Sequence, residues 1–232
     1  AAYPGKTGVY PLSNPRDAFA ARAVLAAAAE RSLDLQYYIW HDDPVGYLLF
    51  DGVWQAAERG VRVRLLLDDN NTGGLDATLA ALDAHPNIEV RLYNPFMQRQ
   101  ARALGYLTDF SRLNRRMHNK SFTVDNQVSV VGGRNIGNEY FAAGSGMLFA
   151  DLDVVAVGAV VPGVSRQFDL YWNSPSAYPA RQFVGAGDVA QLKAGFVRSR
   201  AQPDAVAYLE AVRTTPILRD LLDGRLTFDW TA

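Results

Sequence analysis

From Arg16 to Tyr93 the apolar residues keep changing period, and this alternation of helix with strand restricts the fold more than any other feature of the chain. Residues Arg16 to Arg31 are Ala-rich, with Phe19, Ala23, Leu25 and Ala26 spaced for one buried helical stripe. Asn14-Pro15 opens this helix, because Asn caps, Pro suits the first position and Asp17 complements the positive first turn. In the next segment Leu33, Leu35, Tyr37 and Ile39 alternate, which predicts a strand with those four on one face. Tyr47 to Arg59 returns to helical spacing and stops at Gly60. Val61 to Leu67 ends in Leu65-Leu66-Leu67, the continuous apolar run of a strand covered on both faces. A helix over Leu75 to Ala84, stopped by Pro86, and a strand over Ile88 to Tyr93 complete the series. Such an order predicts an α/β fold, an α-β-α sandwich around a mixed, partly parallel sheet.

Composition narrows the chemistry. The 232 residues are 49% apolar and 20% charged, which gives a globular chain with a sizeable core. A net charge of −1 argues against non-specific coating of nucleic acid, so any anion must be met by a local patch. The absence of cysteine excludes disulfides, thiolate catalysis and thiolate metal sites within this chain. His41, His85 and His118 are too few for a histidine-dominated metal cluster. No apolar run reaches the roughly 18 residues that a membrane-crossing helix needs.

Beyond Tyr93 the alternation lapses. Asn94 to Arg116 is irregular and basic, with Arg99, Arg102, Arg112, Arg115 and Arg116 against the single acid Asp109. Met117 to Val124 and Val128 to Val131 read as two strands joined by a turn at Asp125-Asn126, with Gly132-Gly133 ending the second. Leu152 to Val161 reads as a further strand and Val164 to Trp172 as a helix. Residues 1–12 are expected to be an N-terminal extension and 13–175 the catalytic unit. Residues 176–232 are expected to be a helical linker, with helices near Gly187–Phe196 and Pro203–Asp223.

The segment that carries chemistry is His118-Asn119-Lys120, with Asp125 five residues after the lysine and Gly132-Gly133-Arg134-Asn135 following after six intervening residues. Strand alternation puts His118 and Lys120 on one face. An imidazole can attack phosphorus or pass a proton near neutral pH, and the adjacent ammonium can neutralise a phosphate oxygen. The glycine pair lets backbone approach an anion closely, and Asn135 offers an amide donor. These parts suit phosphoryl transfer, which rests on positioning and charge stabilisation.

This segment resembles the HxKxxxxD motif, with its trailing GGxN, of the phospholipase D superfamily. Leu33 to Asp43, Leu65 to Asn70, His85 to Ile88, Asn94-Pro95-Phe96 and Tyr171 to Ser174 also look like the bacterial C-type cardiolipin synthases, a likeness running from roughly Ser13 onward. The resemblance implies a two-step reaction through a phosphohistidine, with no cofactor and no metal. It implies His118 as nucleophile, or as general acid to a nucleophile in a second motif, with Lys120 and Asn135 on the phosphate oxygens. Asp125 would support the strand turn more than the chemistry, and Asp151 is the best match for the acid that orients the histidine. Gly132 and Gly133 would bind phosphate through backbone N–H groups, Gly133 standing where many relatives carry a serine. Arg115, Arg116, Tyr37 and Glu139 are candidate substrate contacts.

The family builds one site from two such motifs, and this sequence has one: neither His41 nor His85 has a lysine two residues on. The chain therefore reads as an N-terminal half, or a one-motif variant, whose partner is a second motif in trans or in a homodimer. The implied activity is phosphatidyl transfer from a phosphatidylglycerol-like donor to a lipid alcohol, peripheral to the inner membrane of a bacterial envelope. The alternatives are a homodimeric nuclease and a non-catalytic half that binds anionic lipid; the net charge disfavours nucleic acid. His41-Asp42-Asp43 and Asp68-Asp69 follow strand ends and read as loop and helix-start residues rather than metal ligands. Tyr37, Tyr38 and Trp40 read first as core and rim aromatics.

Overall fold

A computed structural model describes residues 3–99, 109–144, 146 and 148–231. Arg102 lies outside the described residues. One nine-stranded mixed sheet runs through the molecule in the order β8-β4-β3-β2-β5-β6-β7-β1-β9. Its parallel half is β2 (Ser32–Tyr37), β3 (Arg62–Asp68) and β4 (Ile88–Tyr93), joined by α2 (Pro44–Glu58) and α3 (Asp76–Asp83). Its antiparallel half is β5 (Ser121–Val124), β6 (Val128–Gly132) and β7 (Asp153–Gly158), and β5 pairs back onto β2.

The helix starts follow from their caps. Asn14 Oδ1 accepts from the N–H groups of Arg16 and Asp17 to open α1 (Pro15–Ala28). Asp43 Oδ1 accepts from Gly46 N, with Pro44 at the first helical position, so α2 begins one turn earlier than its apolar stripe predicts. Leu33, Leu35 and Tyr37 face α1 and α2 in the main core with Phe50, Val53, Phe122 and Val130. The other face of β2 is covered too. There Arg64 grips Asp34 with two hydrogen bonds of 2.7 Å and reaches Asp169 at 2.8 Å, tying α6 (Val161–Trp172) to the sheet.

Both chain ends differ from the expectation. Thr7–Leu12 is not an extension but β1, antiparallel to β7, and Asp229–Thr231 is β9 on the outer edge of β1. Ala177–Pro179, expected in a linker, is β8 on the far edge of β4. The terminal helices are three, α7 (Val189–Ala201), α8 (Pro203–Arg213) and α9 (Pro216–Leu222), because Pro216 cannot continue the preceding helix. Leu192, Phe196, Tyr208, Val212 and Ile217 from them join the main core. Among the described residues the remaining short α-helices are α4 (Phe110–Leu113) and α5 (Asn138–Phe141).

Candidate active site

The motif residues meet at the end of the sheet where β2 finishes and β5 begins. The expected strand over Met117 to Val124 is shorter: only Ser121 to Val124 is paired, and its pairing with β2 ends at Ser121 opposite Gln36. His118, Asn119 and Lys120 form an unpaired lead-in. Asp68, at the end of β3, fixes where that lead-in starts by accepting from Met117 N at 2.8 Å. Burial raises the pKa of Asp68, against the hydrogen bonds from Met117 and Asn70 and the charge of Arg116.

His118 is exposed, and its ring lies 3.9 Å from that of Tyr38, tilted by 30°. Lys120 Nζ sits 5.6 Å from the centre of the same Tyr38 ring and donates to the His118 carbonyl at 2.6 Å. Partial burial lowers the Lys120 pKa, while the nearby charges of Asp151 and Asp153 act the other way. Tyr38 is the residue that sequence reasoning missed in favour of its neighbour. Tyr37 is fully buried in the core, where its hydroxyl accepts from Arg22 Nε at 3.0 Å, so it does not reach a substrate. The signal was present, since alternation places Tyr37 with Leu33 and Leu35 and turns Tyr38 the other way.

Asn135 is buried, its Oδ1 accepting from Ile39 N at 2.9 Å and its Nδ2 donating to the Tyr140 hydroxyl at 3.2 Å. It staples the strand that delivers Tyr38 to the loop after Gly133. A Cβ on Gly132 would lie 2.2 Å from Asp153 Oδ1 and 2.4 Å from the Leu152 carbonyl. A Cβ on Gly133 would lie 2.5 Å from Asp151 Oδ1. Close approach of the 152–153 backbone therefore already demands glycine at 132, independently of any anion, whereas at 133 only the Asp151 side chain would have to move. Asp151 is half-buried beside Gly133. Asp153 is buried instead, bonded to Arg22 Nη2 at 2.8 Å and Arg134 N at 3.1 Å. Burial opposes the Arg22 charge, but Tyr37 and Asp153 more than compensate and hold it protonated.

Asp125 stands at the other end of β5, seven residues from His118, on the order of 20 Å away at about 3.3 Å per residue. Its carboxylate accepts from the backbone N–H groups of Glu30, Arg31 and Ser32 at 3.0, 2.8 and 2.7 Å, fixing the link from α1 into β2. Partial burial works against that charge, yet the three donors outweigh it and lower the pKa.

The basic stretch is mostly neutralised. Arg99 pairs with Asp69 at 2.8 Å and with Asp76, Arg112 with Asp109, and Arg116 with Asp68 at 3.1 Å. The Arg116 side chain is 8% exposed and stacks over Phe96, so it anchors the lead-in rather than reaching outward; Arg115 is exposed. Glu139 Oε1 lies 3.0 Å from His41 Nδ1, and with Asp43 these form the one group of three metal-capable side chains among the described residues. Both Asp43 oxygens already accept backbone N–H groups, from Gly46 and Asn138, so Asp43 acts here as a double helix cap.

Residues 24–160 match the family model described as "Cardiolipin synthase, PLD-like domain". The chain belongs to that family. It is 53% identical over 230 residues to cardiolipin synthase C of Escherichia coli, covering 98% of this chain and 49% of that protein. The chain thus spans about half the length of this curated relative. In solved structures, the phosphatidylserine synthase of Haemophilus influenzae aligns over 83% of this chain and 42% of its own, with TM-score 0.58 and 14% identity. The phospholipase D family member Nuc of Salmonella typhimurium aligns over 75% of this chain and 97% of its own, with TM-score 0.52 and 18% identity. At those identities the two structures speak for the fold, and they agree with one mixed sheet between helical layers.

Proposed function

We propose that this chain contributes His118 to a phosphatidyltransferase site of cardiolipin synthase type, with a second HxKxxxxD motif completing the site in trans. The observation that carries the reading is the Tyr38 platform: one ring orders both the exposed His118 imidazole and the Lys120 ammonium at the sheet end. In the forward step the free ring nitrogen of His118 attacks the donor phosphorus, and the P–O bond to the donor's alcohol breaks. The second motif's histidine protonates that leaving oxygen. An alcohol on the acceptor lipid then loses its proton to the same histidine and attacks phosphorus, freeing His118. Lys120 balances charge on the non-bridging oxygens throughout, and Asp151 lies close enough to bias the local protonation. Asn135 supports the site by holding Ile39, and so Tyr38, against the glycine loop. The 53% identity to cardiolipin synthase C favours lipid donors and acceptors.

No helix of the described residues is long and apolar enough to cross a membrane, so contact with the bilayer surface is proposed to be peripheral, on the inner membrane of the envelope. The test is to incubate the chain, as a dimer or with a second motif added, with phosphatidylglycerol labelled at its phosphodiester phosphorus. Acid-labile label on His118, absent in His118→Ala, is expected. Cleavage of an oligonucleotide by the same assembly with phosphatidylglycerol untouched would replace this reading with the nuclease one.

A further inference from the structure

A groove of about 870 Å³ leaves the site between α6 and the strands β5 and β6, within the size range of small-molecule pockets. Lys120 and Ser121 stand at its head, and Val131, Val164 and Leu170 line its length. Its far end is Val160, just beyond β7. From Gly132, paired with Asp153, down to Val160 is roughly 20 Å at about 3.3 Å per residue. Leu170 is 65% exposed on the helix that flanks the groove.

Two further features point to an occupant. Among the described residues the lining carries two cations, Lys120 and Arg166, and no carboxylate. Ser121 is only 6% exposed, yet its Oγ has no hydrogen-bond partner among the described residues. Thr123 and Ser129, on the same face one step deeper, satisfy each other at 2.8 Å, so the orphan hydroxyl is confined to the groove's head. A ligand that fits has an anionic, hydrogen-bond-accepting end and a long apolar tail.

We propose that this groove seats an acyl chain of the phosphodiester substrate, with the phosphate at Lys120 and Ser121 and the chain running along α6 past Leu170 and Val164 towards Val160. The proposal rests on the phosphatidyl-transfer reading and adds where the donor's tail lies. A second copy of this chain docked in the groove would be the rival occupant, but it would have to bring carboxylates to Lys120 and Arg166.

The test uses phosphatidylglycerol with a photoactivatable diazirine in mid-chain, in mixed micelles with the whole chain, and maps adducts by mass spectrometry. Adducts are expected between residues 160 and 170 and at Val131. A Cβ at Gly163 would touch only Arg166 Nη2 at 3.8 Å, so a side chain can leave the backbone there, and Gly163→Trp is aimed at obstructing the groove. Excluding the burial of even two methylenes weakens the complex about tenfold, so Gly163→Trp should cut those adducts at least that far. Leu170→Glu, at an exposed position, should do the same by placing a carboxylate at the groove wall. His118→Ala should leave the adducts in place. Adducts elsewhere, adducts indifferent to both variants, or cross-links joining two copies through α6 would each overturn the groove assignment. Labelled His118 without adducts on α6 sinks the groove and spares the transfer reading; adducts on α6 without labelled His118 do the opposite.

Discussion

Replacing Asp125 separates scaffold from chemistry at the one motif residue that stands far from His118. Its carboxylate takes three backbone N–H groups, and its own φ of 53° lies in the left-handed region. Asp125→Ala removes the acceptor, at a cap-like loss of about 0.5–2 kcal/mol, which lies towards the lower end because the group is partly open to water. It also gives up the tolerance of positive φ that Asp has over Ala, costing up to about 1 kcal/mol more. The sum is about 1–3 kcal/mol, or roughly 3–10 °C in Tm for a chain of this size. Asp125→Asn tolerates the φ and keeps one acceptor oxygen, so it should lose about 1 kcal/mol. Asp125→Gly keeps the φ and loses all three bonds, and should fall between them. Urea titration with a common m-value measures the series.

The pH dependence has a definite sign. The folded pKa of Asp125 is depressed, so its contribution is full above the unfolded carboxylate value of about 3.9 and is lost as pH falls through the lower folded value. Asp125→Asn should therefore flatten the stability profile only in that acid window. If Asp125→Ala and Asp125→Asn keep the wild-type midpoint yet abolish labelling of His118, Asp125 acts on the reaction and the scaffold argument is wrong.

Other expectations follow from the same geometry. Asp153→Ala leaves the buried Arg22 guanidinium without its carboxylate and should cost about 3–5 kcal/mol in urea unfolding, whereas Asp151→Asn should leave the midpoint nearly unchanged and reduce only His118 labelling. Tyr37→Phe strips the acceptor from buried Arg22 Nε, for a loss of about 1–3 kcal/mol, while Tyr38→Ala should spare stability and depress turnover; equal effects of the two would contradict the placement of Tyr38. Gly132→Ala should fail to fold or unfold at far lower urea, since its Cβ meets backbone of the neighbouring strand. Because burial lowers the Lys120 pKa, binding of inorganic phosphate should weaken at a pH below that of a free lysine, and Lys120→Arg should remove that alkaline limb.

The site and the fold were legible in the sequence to different depths. The six elements between Pro15 and Tyr93 appear where the periodicity puts them, to within about a turn, because each helix or strand is specified by its own caps and its own stripe. The fixed spacing of His118, Lys120, Asp125 and Gly132-Gly133-Arg134-Asn135 likewise survives without knowledge of the fold. Three-dimensional pairing decided the rest. Thr7–Leu12 is a strand because Asp153–Gly158, some 146 residues later, offers it an edge, and no local pattern reports that edge. The arginines before His118 look like a binding patch in one dimension. In space Asp68, Asp69 and Asp76 arrive from the end of β3 and the start of α3 and convert Arg99 and Arg116 into anchors.

Sequence alone thus determined the six elements from Pro15 to Tyr93 and the reactive residue types, since both depend on neighbours within a few positions. Tertiary structure alone decided which aspartate is buried against Arg22 and why Gly132 admits no side chain beside the 152–153 backbone. Those outcomes depend on atoms brought within a few ångströms from segments tens of residues apart, and a one-dimensional pattern carries no distance between them.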